Sequence, residues 1–288
     1  MQSEVIQWFP GHMAKTRRLI SENLKEVDII IEILDARIPY SSKNPEIQRL
    51  IGDKPSLTIL NKASLANKQI TQKWIDYYRA SGKYAISVDC ITGEGLSLIS
   101  NAVKNILSDK IERYENKGMN KKLRAMFVGI PNVGKSSLIN KICGSKKAKV
   151  ENRPGVTLNK QWIPTNIGFD LMDMPGVLWP KFEEKAVGEN LAITGAIKDA
   201  ILDIEYIAVV LCARLKKLAP NEFMTRYKIK EEELSSCETD YEVFELVGKK
   251  RGFLISGGEI NTERTAATLL EEFRSAKIGA ISLEIPEN

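Results

Sequence analysis

Histidine is almost absent from this 288-residue chain and cysteine is sparse: there is one His and there are four Cys. Cys90, Cys143, Cys212 and Cys237 show no C-x-x-C spacing, and His12 alone cannot complete a Cys/His set, which excludes a structural zinc site of that type. The four thiols are expected to be reduced and mostly buried. Also missing is any apolar run near the roughly 20 residues that cross a membrane. The opening MQSEV lacks the basic-then-apolar order of a secretory signal. A soluble, cytoplasmic protein with no membrane partner is expected.

What the chain does contain is ordinary for a globular protein, 43% hydrophobic and 27% charged residues, with a net charge of +5 spread unevenly. Through Ile204 there are 30 basic and 22 acidic residues; from Glu205 onward there are 12 and 15. An anionic partner meets the first part more readily. Lys146, Lys147, Lys149 and Arg153 form one basic cluster, and Lys121, Lys122 and Arg124 another. Solvated surface and RNA contact both explain such clusters, and the sequence leaves the choice open.

One stretch has explicit chemistry. Gly129-Ile130-Pro131-Asn132-Val133-Gly134-Lys135-Ser136 fills G-x-x-x-x-G-K-[ST] at every fixed position. The glycines let successive backbone N–H groups turn inward toward phosphate oxygens, Lys135 adds a point charge, and Ser136 offers a hydroxyl to Mg²⁺. Arg124–Val128 reads as a buried strand entering the loop, and Ser137–Ile142 as the helix leaving it, whose N-terminal dipole favours the same anion. Such a loop usually opens a domain. Here more than a hundred residues precede it.

Those residues contain three more strand signals. Val27–Leu34 is a nearly unbroken β-branched run of the kind buried on both faces of a parallel sheet, and Leu57–Leu60 and Tyr84–Val88 are read the same way. Each ends in a loop: Asp35-Ala36-Arg37-Ile38-Pro39, Asn61-Lys62-Ala63-Ser64, and Asp89 through Gly95. Helices are expected from about Ala14 to Lys25, with Lys15, Arg17 and Arg18 in its first turns, and from Leu96 to about Glu112. This alternation predicts a doubly wound α/β sheet whose ligand sits at the carboxyl ends of the strands. Asn116–Asn120 reads as a connector. Beyond the phosphate loop come a loop with Thr157 and a strand over Phe169–Met172 ending in Asp173-Met174-Pro175-Gly176. From about Lys185 the pattern turns helical: Val243, Leu246 and Val247 keep helical spacing, as do Ala266, Leu269, Leu270 and Phe273 after a cap at Asn261 or Thr262.

Phosphate loop, loop threonine, D-x-x-G and an N-K-x-D-like segment together resemble the motif set of P-loop GTPases, in a rotated order that puts Asn61–Ser64 and the Gly93 loop first. That order resembles the circularly permuted GTPases of ribosome assembly, specifically the bacterial ribosome biogenesis GTPase A group. Pro10-Gly11-His12-Met13-Ala14-Lys15, Asp35-Ala36-Arg37-Ile38-Pro39 and Ser256-Gly257-Gly258-Glu259-Ile260 extend the resemblance over essentially the whole chain. It implies a mostly parallel, permuted GTPase domain over residues 1–184 and an all-helical domain over 185–288 that meets ribosomal RNA. The D-x-x-G loop then leads through Val177-Leu178-Trp179-Pro180 straight into the helices, so nucleotide state is expected to bias their position.

The resemblance also implies roles. Lys135 would bind the β- and γ-phosphates, with Asn132, Val133, Gly134, Ser136 and Ser137 completing the loop's nucleotide contacts. Ser136 and Thr157 would ligate Mg²⁺, Asp173 would hold that ion through water, and the Gly176 N–H would meet the γ-phosphate. Asn61, Lys62, Ala63 and Ser64 would take the base, although relatives usually have Asp where Ser64 stands, and a serine cannot form the two-pronged charged pair with guanine. Many relatives place Gln after D-x-x-G to orient the attacking water. Val177 cannot do so, which points to His12 for the water and to Asn132 as a K⁺ ligand. Read alone, His12 is a turn histidine, Thr157 a loop threonine and Asn132 a residue stabilising its own turn. The expected activity is slow, Mg²⁺-dependent GTP hydrolysis, stimulated by ribosomal subunits, acting as a switch on a large (50S) subunit precursor and its rRNA, not on DNA. The alternatives are a nucleotide-binding RNA or ribosome-interaction module with little hydrolysis, and another P-loop phosphotransferase.

Overall fold

The computed structural model describes residues 10–119, 121–144, 162–179 and 181–287, with the side chains of 10–13 outside that description. The first part alternates helices and strands: α1 (Pro10–Asn23), β1 (Ile29–Asp35), α2 (Pro45–Ile51), β2 (Ser56–Asn61), α3 (Lys68–Ala80), β3 (Tyr84–Ser87), α4 (Leu98–Ile106), α5 (Ser108–Asn116), β4 (Leu123–Val128), α6 (Lys135–Cys143), β5 (Trp162–Pro164) and β6 (Phe169–Asp173). Six helices follow: α7 (Lys185–Ile193), α8 (Ile204–Leu218), α9 (Pro220–Tyr227), α10 (Glu231–Ser235), α11 (Asp240–Arg251) and α12 (Thr262–Arg274).

The strands form one sheet in the order β3-β2-β1-β4-β6-β5, parallel throughout except for β5 against β6. Strand β4, which leads into the phosphate loop, lies beside β1 at the centre. Strands earlier in the chain stand on one side of it and later ones on the other, so chain order reverses between β1 and β4, the place where doubly wound sheets bind ligands. The period-2 pleat explains the continuous apolar run of β1. Ile29, Ile31 and Ile33 pack with Ile99, Val103, Leu138 and Ile139 on one face, while Ile30 packs with Ile20, Ile47 and Met126 on the other. Strand β4 splits likewise, with Ala125 and Phe127 on the first face and Met126 and Val128 on the second.

Several expectations shift. Strand β3 is the sheet edge and is partly exposed, not buried on both faces, because no strand covers its far side. The helix expected over 96–112 is two, α4 and α5, broken at Leu107. The three-residue antiparallel strand β5 is too short to have left a periodic signal. Helix α1 starts at Pro10, so Lys15, Arg17 and Arg18 fall in its middle turns; Arg18 pairs with Glu22 at 2.7 Å and Arg17 with Glu46 at 3.4 Å. Cys90, Cys143 and Cys212 are buried and Cys237 is half-buried, with no disulfide among the described residues.

The helices from α7 onward share one continuous apolar cluster with the α4–α6 face of the sheet, joined through Leu178, Trp179 and Phe182. Asn261 caps α12, accepting from the Arg264 N–H at 2.9 Å, and Ala266, Leu269, Leu270 and Phe273 are its buried face. The chain's last segment returns to the loop after β1. The Glu284 carboxylate accepts from the Tyr40 N–H at 2.7 Å and from Asn190 Nδ2 at 2.8 Å, and the Leu283 N–H donates to the Arg37 carbonyl at 2.9 Å.

One buried acid in β1 makes a stability prediction. Glu32 accepts from Gln48 Nε2 at 2.8 Å, yet burial pushes its carboxyl up to about 7, with Lys43 and the Gln48 bond offsetting only part of the effect. A carboxyl raised in the folded state contributes stability below its unfolded value, and that contribution is lost as pH rises through about 7. Glu32→Gln keeps the shape without the charge. It is expected to change urea stability little near pH 5 and to raise it by about 1–3 kcal/mol at pH 8; equal effects at both pH values would refute the assignment.

Candidate active site

The loops that the sequence singles out meet at the carboxyl edge of the sheet. Gly129 leaves β4 so close to β1 that a Cβ there would stand 2.6 Å from the Ile33 carbonyl. Asn132 and Gly134 both take left-handed backbone, φ 60° and 88°, which is what turns the chain back on itself before α6 begins at Lys135. Lys135 is buried at the first position of that helix, and its ammonium pairs with the Asp173 carboxylate at the end of β6. Ser136 is the next residue in the same turn, at a helix start whose first N–H groups have no intrahelical partner.

Both flanking motifs touch this loop directly. Gly176 of the D-x-x-G segment packs on it, with a Cβ there 3.0 Å from the Pro131 nitrogen. From the other side, Asn61 at the end of β2 donates to the Val133 carbonyl at 2.6 Å and lies against Gly134, where a Cβ would meet its amide nitrogen at 2.3 Å. The two halves of the rotated motif set, separated by about seventy residues of chain, are thus assembled by the pairing of β1 with β4. Val177 is buried, with its carbonyl accepting from Asn44 Nδ2 at 3.1 Å, and its apolar side chain has no group with which to orient a water.

The Asn61–Ser64 loop is held by charge. Lys62 takes left-handed backbone, φ 61°, and its ammonium lies 3.0 Å from Asp35 Oδ2. Asp35 in turn holds Arg37, at 2.7 Å and 2.9 Å. Burial alone would raise the Asp35 carboxyl, but Arg37 and Lys62 overcome that and hold it well below the usual carboxylate range. The Ala63 N–H donates to the Val88 carbonyl at 3.2 Å, and Ser64 binds Asp89 in the loop after β3. Asp35, Arg37 and Asp89 were not among the residues singled out as site groups. Their trace in the sequence was position, since each falls at or just after the carboxyl end of a strand of the parallel sheet, and Asp35 and Arg37 also lay in a stretch that extends the family resemblance.

Asn132 Nδ2 donates to the Gly195 carbonyl just after α7, at 2.8 Å, so the phosphate loop also touches the helical part. Ser137 is exposed on α6. The side chain of His12 and all of Thr157 lie outside the described residues, as do Lys146, Lys147, Lys149 and Arg153. The other basic groups are largely engaged within the molecule. Arg124 stacks on Trp162, Lys250 pairs with Glu233, and Arg251 with Glu272. Among the described residues no three His, Cys, Asp or Glu side chains gather to hold a metal. The hard-oxygen pair Ser136 and Asp173 fits an ion that takes only one or two protein ligands and completes its shell with phosphate and water, as Mg²⁺ does.

A family model described as "50S ribosome-binding GTPase" matches residues 124–233, beginning inside β4 and leaving the base-side loops before it. The Ribosome biogenesis GTPase A of Priestia megaterium is 45% identical, the match covering 98% of this chain and 97% of that protein. Mitochondrial ribosome-associated GTPase 1 of Mus musculus is 33% identical over 98% of this chain and 90% of its own. The GNP-bound crystal structure of YlqF from T. maritima superposes with a TM-score of 0.64 at 25% identity, covering 95% of this chain and 99% of that one. With the phosphate loop entered from a strand at the centre of the sheet and the N-K-x-D-like motif placed ahead of it in the chain, this protein belongs to the ribosome biogenesis GTPase A family of circularly permuted P-loop GTPases.

Proposed function

We propose that this GTPase acts on a precursor of the large ribosomal subunit, binding it with GTP and leaving after hydrolysis. The observation that carries the reading is the convergence of Lys135, Asp173, Gly176 and Asn61 on one loop, because that arrangement senses a γ-phosphate and a base at once. Lys135 and the loop N–H groups bind the β- and γ-phosphates. Ser136, Thr157 and Asp173 hold Mg²⁺, which neutralises phosphate charge when bound. Asn61 through Ser64 take the base, and the Gly176 N–H meets the γ-phosphate. With Val177 buried, His12 orients the attacking water, and Asn132, whose amide nitrogen is committed to Gly195, keeps its oxygen for K⁺. Residues 185–288 form the helical domain that contacts the ribosome. The D-x-x-G loop and the bond from Asn132 to Gly195 give it two routes by which to sense the nucleotide. The setting is the cytoplasm; among the described residues no helix is long and apolar enough to cross a membrane.

The relatives' names, which speak of 50S binding and ribosome association, support this choice of partner. Steady-state GTP turnover, measured with and without purified large subunits, tests it. Stimulation is expected with large subunits and not with small ones. His12→Ala is expected to lower the stimulated rate by roughly 10²–10⁴-fold while nucleotide affinity stays unchanged. Absence of stimulation would reduce the protein to a nucleotide-binding module, and unchanged turnover in His12→Ala would remove the histidine from the mechanism.

A further inference from the structure

The position where N-K-x-D loops present a carboxylate is Ser64, and the structure supplies the missing charge from another loop. Ser64 Oγ lies 2.6 Å from Asp89 Oδ2, and the Ser64 backbone N–H donates to the same oxygen at 3.0 Å. The other oxygen, Oδ1, accepts from the Ile91 and Thr92 N–H groups at 2.8 Å and 2.9 Å. Asp89 is buried and Ser64 is exposed. Burial alone would raise the Asp89 carboxyl, but the bonds from Ser64, Thr92 and Ile91 hold it below its ordinary value, so it is ionised at neutral pH.

An ionised carboxylate only accepts, and a serine hydroxyl has one proton to give. With both partners fixed, the Ser64 proton points inward to Asp89 and the outward side of Ser64 Oγ presents lone pairs alone. Asp89, with two donors on each oxygen, has little capacity left for a ligand of its own. We propose that Ser64 and Asp89 form a relay that selects guanine. Asp89 is the positioning residue, and Ser64 Oγ is the acceptor for the donors on the guanine Watson–Crick edge, its N1–H and exocyclic amino group. Adenine presents a ring-nitrogen lone pair on the same edge, which an acceptor-only hydroxyl repels, so discrimination comes from repulsion as well as attraction. The charge that a relative would place at Ser64 therefore acts from one residue deeper, transmitted through a hydrogen bond.

The relay rests on the reading of Asn61–Ser64 as the base loop, and competition binding against labelled GDP separates the two. Competitors are GTP, ATP and xanthosine triphosphate, whose base carries an oxygen where guanine carries the amino group. The parent is expected to prefer GTP over ATP by about 100-fold, as two hydrogen bonds accepted by a hydroxyl polarised by Asp89, together with the repulsion of adenine, would give; equal binding of GTP and ATP by the parent would overturn the base-loop reading itself. In Asp89→Asn an amide whose oxygen keeps the Ile91 and Thr92 N–H bonds turns its NH2 group to Ser64 Oγ, so the Ser64 proton points outward. GTP affinity is expected to fall about tenfold while xanthosine triphosphate gains about as much, since Ser64 can now donate to its oxygen. Ser64→Ala is expected to lose GTP preference with no such gain. Should Asp89→Asn unfold, the exchange variant Ser64→Asp/Asp89→Ser supplies the second reading: it is expected to recover the parent's GTP preference, whereas Ser64→Asp alone, with two carboxylates in contact, is not. A parent that prefers GTP, together with an Asp89→Asn variant in which all three nucleotides weaken by one common factor or an exchange variant that recovers nothing, would refute the relay and leave the base loop standing.

Discussion

Lys135→Ala is expected to lower single-turnover GTP hydrolysis by roughly 10²–10³-fold, the scale seen when one preorganised charge or donor is removed from a transition state. The side chain is buried at the first position of α6, and its ammonium pairs with Asp173. In the role proposed for it, the cation is already held in place at the helix start when charge develops on the transferring phosphoryl group. Removing it also leaves Asp173 facing the incoming phosphates unneutralised, so GTP affinity should fall as well, with GDP affected less because it lacks the γ-phosphate. Rapid-quench hydrolysis at saturating GTP, with equilibrium binding of both nucleotides, separates the two effects. A variant within tenfold of the parent in the chemical step would show that Lys135 is not the phosphate cation.

Asp35→Asn is expected to be among the most destabilising single changes in the sheet. Arg37 is about 1% exposed, bonded to Asp35 through two nitrogens, and stacked over the Phe273 ring at 5.5 Å. Its third guanidinium nitrogen, Nη1, has no hydrogen-bond partner among the described residues, and the other acceptor of its side chain is the neutral Thr194 carbonyl at 3.5 Å, which cannot balance the charge. Stranding a buried charge in this way costs about 3–5 kcal/mol, whereas replacing both members by apolar groups is often neutral. Asp35→Asn should therefore shift the urea midpoint sharply, and Asp35→Asn/Arg37→Met should recover most of it. Because Lys62 also rests on Asp35, at 3.0 Å, nucleotide affinity should fall in both variants and recover in neither. Asp35 titrates below the ordinary carboxylate range in the folded state, so its stabilisation is present above roughly pH 4 and lost as pH falls below that; the double variant should lack this acid-side loss. Equal stability of Asp35→Asn and the parent would mean the Arg37 charge is compensated elsewhere.

These two residues also mark different degrees of legibility. Lys135 stood in a gapless motif, and eight consecutive residues sufficed to name its chemistry before any contact was known. Asp35 and Arg37 lay in a recognised stretch, but nothing local announced that the pair would bridge Lys62 to Phe273, more than two hundred residues apart in the chain. The strands were readable where both faces are buried, because there nearly every residue is apolar, as in β1, whose exceptions are Glu32 and Asp35, and in β4, whose exception is Arg124. They were misjudged where the sheet ends. Strand β3 resembles its neighbours in composition but occupies an edge, and β5 is three residues long.

By itself, then, the sequence determined the alternation of strands and helices, the phosphate loop and the rotated motif order, since each depends on spacing within a short window of chain. Only the tertiary structure decided that Asn61 closes on Val133, that Val177 turns inward, and that the carboxylate absent from position 64 stands beneath it at Asp89. Those relations join strands β2, β3, β4 and β6, and strand pairing in a parallel sheet is set by burial across crossovers that no local pattern encodes.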